Sequence, residues 1–167
     1  MAMKLSSESF REGEMLKMDH VLSKAYGFGC EGGNLSPQLG WSDAPAGTQS
    51  FAVTCFDPDA PTGSGFWHWV VVNIPANVTA LPLGAGDPAA GRLPGGALQV
   101  RTDFGKPGYG GPCPPRGNGP HRYFFRLYAL AVPSLPLRAG ATRAELERAL
   151  AGHVIGQAQL MGRYERK

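Results

Sequence analysis

Three mostly apolar runs, each closed off by proline, glycine or a polar turn, constrain this chain more than any other feature: Ser50–Phe56, Phe66–Ile74 and Tyr123–Leu130. They are rich in Val, Phe, Trp and Tyr, which suit a pleated strand. They do not alternate cleanly between apolar and polar positions. Runs of that kind read as strands buried on both faces, within a sandwich or under covering loops. The 24 glycines and 15 prolines point the same way, because they imply many turns and little helix.

One helix is predicted. Thr142-Arg143-Ala144-Glu145 reads as a capping box, in which the Thr142 hydroxyl and the Glu145 carboxylate each accept from the other's free backbone N–H. Leu146, Ala149, Leu150 and His153 then share a face, and Gly152 or Gly156 can end it. Gln157–Tyr164 is expected as a closing strand. The fold class is therefore mainly β, with one short C-terminal helix and long Gly/Pro loops. Residues 1–167 are expected to form a single domain. The stretch 105–120, dense in Gly and Pro, reads as an ordered loop over a site.

Composition narrows the function. Hydrophobic residues make up 43%, no apolar run approaches the roughly 20 residues that span a bilayer, and the N-terminal residues lack an apolar signal region. The expectation is a soluble, cytoplasmic protein with no stable membrane insertion. Net charge is +3, yet no Lys or Arg falls between Lys24 and Arg92, where Glu31, Asp43, Asp57, Asp59 and Asp87 lie. The aromatic-rich segment thus lacks the cations a nucleic-acid surface needs, which excludes nucleic acid as a partner. Cys30, Cys55 and Cys113 match neither a zinc spacing nor a disulfide framework, so they are read as free thiols, with Cys55 in a strand core.

Two proline-rich segments carry the candidate chemistry. Asp57-Pro58-Asp59-Ala60-Pro61 ends the first run, and Gly111–Pro120 leads into His121 and the third. Proline fixes φ and lowers the entropy of holding neighbouring side chains in place. Strand parity puts His68 with Phe66, Val70 and Val72, opposite Trp67 and Trp69. It puts His121 with Tyr123, Phe125 and Leu127, opposite Arg122 and Arg126. If the strand ends adjoin, Asp57, Asp59, His68 and His121 converge at the rim of an apolar pocket. His20 and His153 read as surface or helix-end residues. The Trp67/Trp69 face would serve core packing or a homodimer equally well.

These motifs resemble the phosphatidylethanolamine-binding protein family, the Raf-kinase-inhibitor-like proteins, in its compact bacterial form. The matching residues are Asp57–Pro61 followed by the His68…Asn73 strand, and Gly111–Tyr123. Gly33-Asn34-Leu35-Ser36-Pro37 and Met161-Gly162-Arg163-Tyr164 match as well. The resemblance implies a Greek-key β-sandwich with a small pocket for phosphate-like anions or phosphorylated small molecules. Its lining would be Asp57, Asp59, His68, Pro112 or Pro114, His121 and Tyr123, with a backbone N–H from Gly111. It implies a non-enzymatic regulatory module, with a kinase or protease as possible protein partner, and no cofactor or metal. Phe66 stands where the family often has Trp, and the loop from Thr62 to Trp67 is short. Two carboxylates repel a phosphate. Either the aspartates raise the imidazole pKa values so that His⁺ faces the ligand, or one carboxyl is protonated, with the Gly111 loop adding a backbone nest. Arg116, Arg122 and Lys106 lie near the pocket loop and could dock an acidic partner. The competing reading is a metal-dependent hydrolase built on Asp57, Asp59, His68 and His121. No nucleophile elbow accompanies Cys113.

Overall fold

The computed structural model describes residues 2–167 and consists of two antiparallel sheets with one helix. In chain order the strands are β1 (Lys4–Ser6), β2 (Leu39–Ser42), β3 (Ser50–Asp57), β4 (Phe66–Pro75), β5 (Ala80–Leu81), β6 (Leu98–Gln99), β7 (His121–Leu130) and β8 (Val154–Tyr164). Helix α1 (Arg143–Leu150) precedes β8. A small sheet runs β1-β2-β5 and a large one runs β6-β4-β3-β7-β8.

The three apolar runs are the three central strands of the large sheet, and both of its faces are covered. One face packs Phe51, Val53, Cys55, Trp69, Val71, Phe125 and Leu127 against Leu5, Leu39 and Trp41 of the small sheet. The other packs Ala52, Val70, Val72 and Leu130 under Leu135, Ala141 and Leu146 from α1 and its lead-in. Double burial explains the missing polar alternation.

Two irregularities in β4 shape the molecule. Cys55 pairs with Trp69 and Phe56 with Trp67, so the register skips His68. This β-bulge corrects the simple parity. Trp69 packs with Val71, whereas Trp67 packs with Val70 and Val72. His68 is turned to Tyr123, with ring centroids 5.2 Å apart. The second register shift, between Phe51 and Val53, carries Asn73 at φ 59°. The Asn73 Oδ1 accepts from Leu135 N at 2.7 Å and its Nδ2 donates to Leu135 O at 3.4 Å, which pins the segment leading to α1. Asn73→Ala is expected to cost about 2 kcal/mol in urea unfolding, and Asn73→Gly less, because glycine tolerates the left-handed backbone.

The capping box forms as predicted, with Thr142 Oγ1 accepting from Glu145 N and Glu145 Oε1 accepting from Thr142 N. Gly152 at φ 81° follows the helix, so His153 lies in the turn beyond it and not on its face. His20 departs from its surface reading as well. It is buried, and its Nδ1–H donates to Leu35 O at 2.8 Å.

Candidate ligand-binding cavity

Because β3 pairs antiparallel with both β4 and β7, the end of β3 meets the starts of both neighbours. That edge gathers Asp57, His68, His121 and Tyr123 beneath the two proline-rich loops. They line a cavity of about 160 Å³ whose walls are mostly apolar, including Leu22, Phe28, Pro61, Phe66, Phe104 and Pro114. The size matches an engineered apolar cavity of about 150 Å³ that holds benzene, so it suits a headgroup and not an acyl chain.

The floor is a hydrogen-bonded row. Asp57, 2% exposed, accepts from Asp59 N at 2.8 Å through Oδ1 and from His121 Nδ1–H at 2.7 Å through Oδ2. The carboxylate therefore orients the imidazole. His121 Nε2 meets the Asn118 side-chain amide at 2.6 Å. That amide can turn either its oxygen or its nitrogen toward Nε2, so it can accept from the ring or donate to it.

His68 is 5% exposed, and its Nδ1–H donates to Gly110 O at 2.7 Å. Phe66 and Phe104 crowd the ring, with centroids at 4.9 and 5.4 Å. Burial pushes its pKa down to about 4, outweighing the hydrogen bond to Gly110 and the Asp57 charge. At this position the expectation of an imidazolium facing the ligand is corrected: desolvation disfavours the cation more than the carboxylate favours it. Burial, with Asp57 adding, likewise pushes the Tyr123 phenol up, so it stays a neutral donor.

The other residues singled out from sequence are placed differently. Asp59 does not line the cavity. It accepts from Arg122 N, Nε and Nη2 at 2.9, 3.0 and 2.9 Å, and the guanidinium holds its carboxyl below the usual range. Gly111 N donates to Asn34 Oδ1 at 2.8 Å, so it offers no N–H to a ligand. A Cβ there would sit 2.1 Å from His20 O, which is why the position needs glycine. Pro112 turns its carbonyl to Leu22 N at 3.0 Å and Pro114 lines the wall. Arg116 donates to Lys167 O, and Lys106 lies 4.5 Å from the Tyr26 ring, so neither reaches the cavity.

Two features escaped the sequence reading. Asn118, three residues before His121 in a Gly-Asn-Gly turn, was visible as the one polar side chain able to reach back to it. The free-thiol reading is corrected for two of the three cysteines: Cys30 and Cys113 form a disulfide, with Cα atoms 6.0 Å apart, and only Cys55 is free. A pairing across 83 residues leaves no mark in local spacing. Among the described residues, no group of three or more His, Cys, Asp or Glu is placed to hold a metal ion.

A family model described as phosphatidylethanolamine-binding protein matches residues 6–165. The chain is 50% identical to YbcL of Escherichia coli K12 over 99% of its own length and 89% of that protein. It is 52% identical to YbhB of the same organism over 85% and 87%. The crystal structure of E. coli YbcL, described as a new member of the mammalian PEBP family, superposes with a TM-score of 0.95 at 49% identity, covering both chains in full. With the motifs, the sheets and the match all spanning the same residues, the chain belongs to the phosphatidylethanolamine-binding protein family.

Proposed function

We propose that this protein is a non-catalytic binding module whose cavity takes a small phosphoryl group. The observation that carries the reading is that two otherwise buried side chains turn polar atoms with no protein hydrogen-bond partner, His68 Nε2 and the Tyr123 hydroxyl, to the open cavity beside the Asp57–His121 pair. Polar atoms that face a cavity without a protein partner are free to bond an occupant. The Asn118 amide lies where a ligand oxygen would meet His121 Nε2, in a turn whose Gly117 and Gly119 adopt φ 75° and 82°. A protein partner such as a kinase or protease would meet an apolar rim, where Phe28 is 58% exposed.

Titration calorimetry with methyl phosphate at pH 5.5 tests the proposal. Binding at one site per chain is expected, weakened by about 1–3 kcal/mol in His121→Ala. No heat at millimolar ligand would reject it. The hydrolase alternative gains no support, since Asp59 is committed to Arg122 and His68 Nδ1 to Gly110.

The disulfide favours an oxidising compartment over the cytoplasmic expectation, because cytosolic thiols are kept reduced. Denatured protein from cells lysed with the thiols blocked is expected to show one alkylatable cysteine before reduction and three after.

A further inference from the structure

We propose that Arg166 is a positioning residue for the cavity: its guanidinium ties the two loops at the mouth across the same gap that the Cys30–Cys113 bond spans, so that either tie alone holds the walls together. Its effect on ligand affinity rests on the phosphoryl-binding reading above. Its effect on the disulfide does not.

Both loops need anchors from outside. In Pro112-Cys113-Pro114-Pro115 only Cys113 has a backbone N–H, so the segment is held through its carbonyls. Pro112 O accepts from Leu22 N at 3.0 Å, Pro115 O from Asn118 N at 3.2 Å, and Pro114 O from Arg166 Nε at 2.9 Å. The facing loop turns on Gly27 and Gly29, at φ 78° and 92°. From Phe28 to Glu31 its main chain is anchored through Phe28 O, which accepts from Arg166 Nη1 at 3.2 Å. Phe28 and Pro114 both line the cavity, so one guanidinium spans its mouth.

That guanidinium is committed to the task. Among the described residues, no carboxylate pairs with it. It packs so closely on the Phe28 loop that a Cβ at Gly29 would lie 2.9 Å from Nη1. Its backbone is fixed as well, since Arg166 O accepts from Gly117 N at 3.1 Å and Lys167 O from Arg116 Nη1 at 2.9 Å. A planar fork can serve two carbonyls at once, which the compact ammonium of a lysine does less well. The covalent tie lies alongside: Cys113 Sγ is 3.6 Å from the same Phe28 O.

Two ties on one pair of loops must couple. Losing one leaves the loops held by the other, and losing both frees them, so the joint effect exceeds the product of the single ones. The coupling is reciprocal. If Arg166 keeps the loops together, it holds the two reduced thiols at a high effective concentration and makes the disulfide harder to reduce.

The test has a redox arm and a binding arm. Native wild type and Arg166→Ala are equilibrated with glutathione buffers, and alkylation of Cys30 and Cys113 is read by mass, with Cys55 protected by burial. The equilibrium constant for forming the disulfide is expected to fall about tenfold in the variant. Arg166→Lys is expected to match Arg166→Ala, and a value equal to wild type would reduce the role to charge and overturn the tie. In calorimetry with methyl phosphate at pH 5.5, Arg166→Ala and the Cys30→Ser, Cys113→Ser variant are each expected to bind about threefold more weakly, and the triple variant about 100-fold. If the triple variant does not fold, the redox arm decides. A disulfide constant within about twofold of wild type would overturn the tie, whatever the ligand does. Affinities that simply multiply would overturn its role at the cavity and leave phosphoryl binding standing. No binding by the wild type would overturn the phosphoryl reading and with it the role at the cavity, and the redox arm alone would then decide the tie.

Discussion

Reduction of the Cys30–Cys113 bond is expected to lower the stability of the protein by about 4–5 kcal/mol. The bond closes a loop with a sequence separation of 83, and the chain-entropy relation for a loop of that length gives about 4.6 kcal/mol at 25 °C. For a chain of this size the loss corresponds to a fall in Tm of roughly 10–15 °C. Thermal unfolding with and without reductant, and of a Cys30→Ser, Cys113→Ser double variant, measures it. A Tm change under about 3 °C would show that the loop is already held by other contacts. The same bond ties Cys113, in the cavity wall, to Cys30, which packs with Val21 and Leu22. Methyl phosphate binding is therefore expected to weaken on reduction even at temperatures where the sheets remain folded.

Acid is expected to cost the protein about 3 kcal/mol through His68 alone. The imidazole has an ordinary pKa of about 6.5 in the unfolded chain and about 4 in the folded one, because burial disfavours its cation. Above pH 6.5 the ring is neutral in both states and adds nothing to the pH dependence. As pH falls from 6.5 to 4 the unfolded chain takes up a proton that the native state resists, so stability drops by about 1.4 kcal/mol per unit. Below about pH 4 the slope from this residue ends. Urea unfolding at pH 7, 5.5 and 4, compared with His68→Gln, isolates the contribution from that of the carboxylates. Parallel curves for the two proteins would mean that the ring takes its proton in place.

The elements that could be read in advance are those whose causes are local. Gly and Pro mark the ends of β3, β4 and β7, and their unbroken apolar character follows from a sheet covered on both faces. The capping box needs only four consecutive residues, and β7 keeps strict parity, so His121 and Tyr123 fall together as expected. What was hidden depends on partners far along the chain. The bulge opposite Cys55 and Phe56 reverses the faces of Trp69 and Val70 relative to His68, and nothing in Phe66–Ile74 announces it. Asp59 reads like Asp57 until Arg122, 63 residues on, draws it out of the cavity. Gly111 reads like a nest donor until Asn34, 77 residues away, takes its N–H. The small sheet escaped notice because β1, β2 and β5 are only 3, 4 and 2 residues long.

Cys55 is the one free thiol, 1% exposed in the middle of the large sheet, with burial pushing its pKa well up. A neutral thiol behind Trp69 reacts with nothing until β3 separates from its neighbours. In the oxidised protein, the rate at which a thiol reagent marks this residue therefore counts openings of the central strands, one molecule at a time. The chain carries a built-in clock for its own unfolding. The difference between its rate in the empty and the ligand-filled protein reads how firmly an occupant at the strand ends holds the sheet closed.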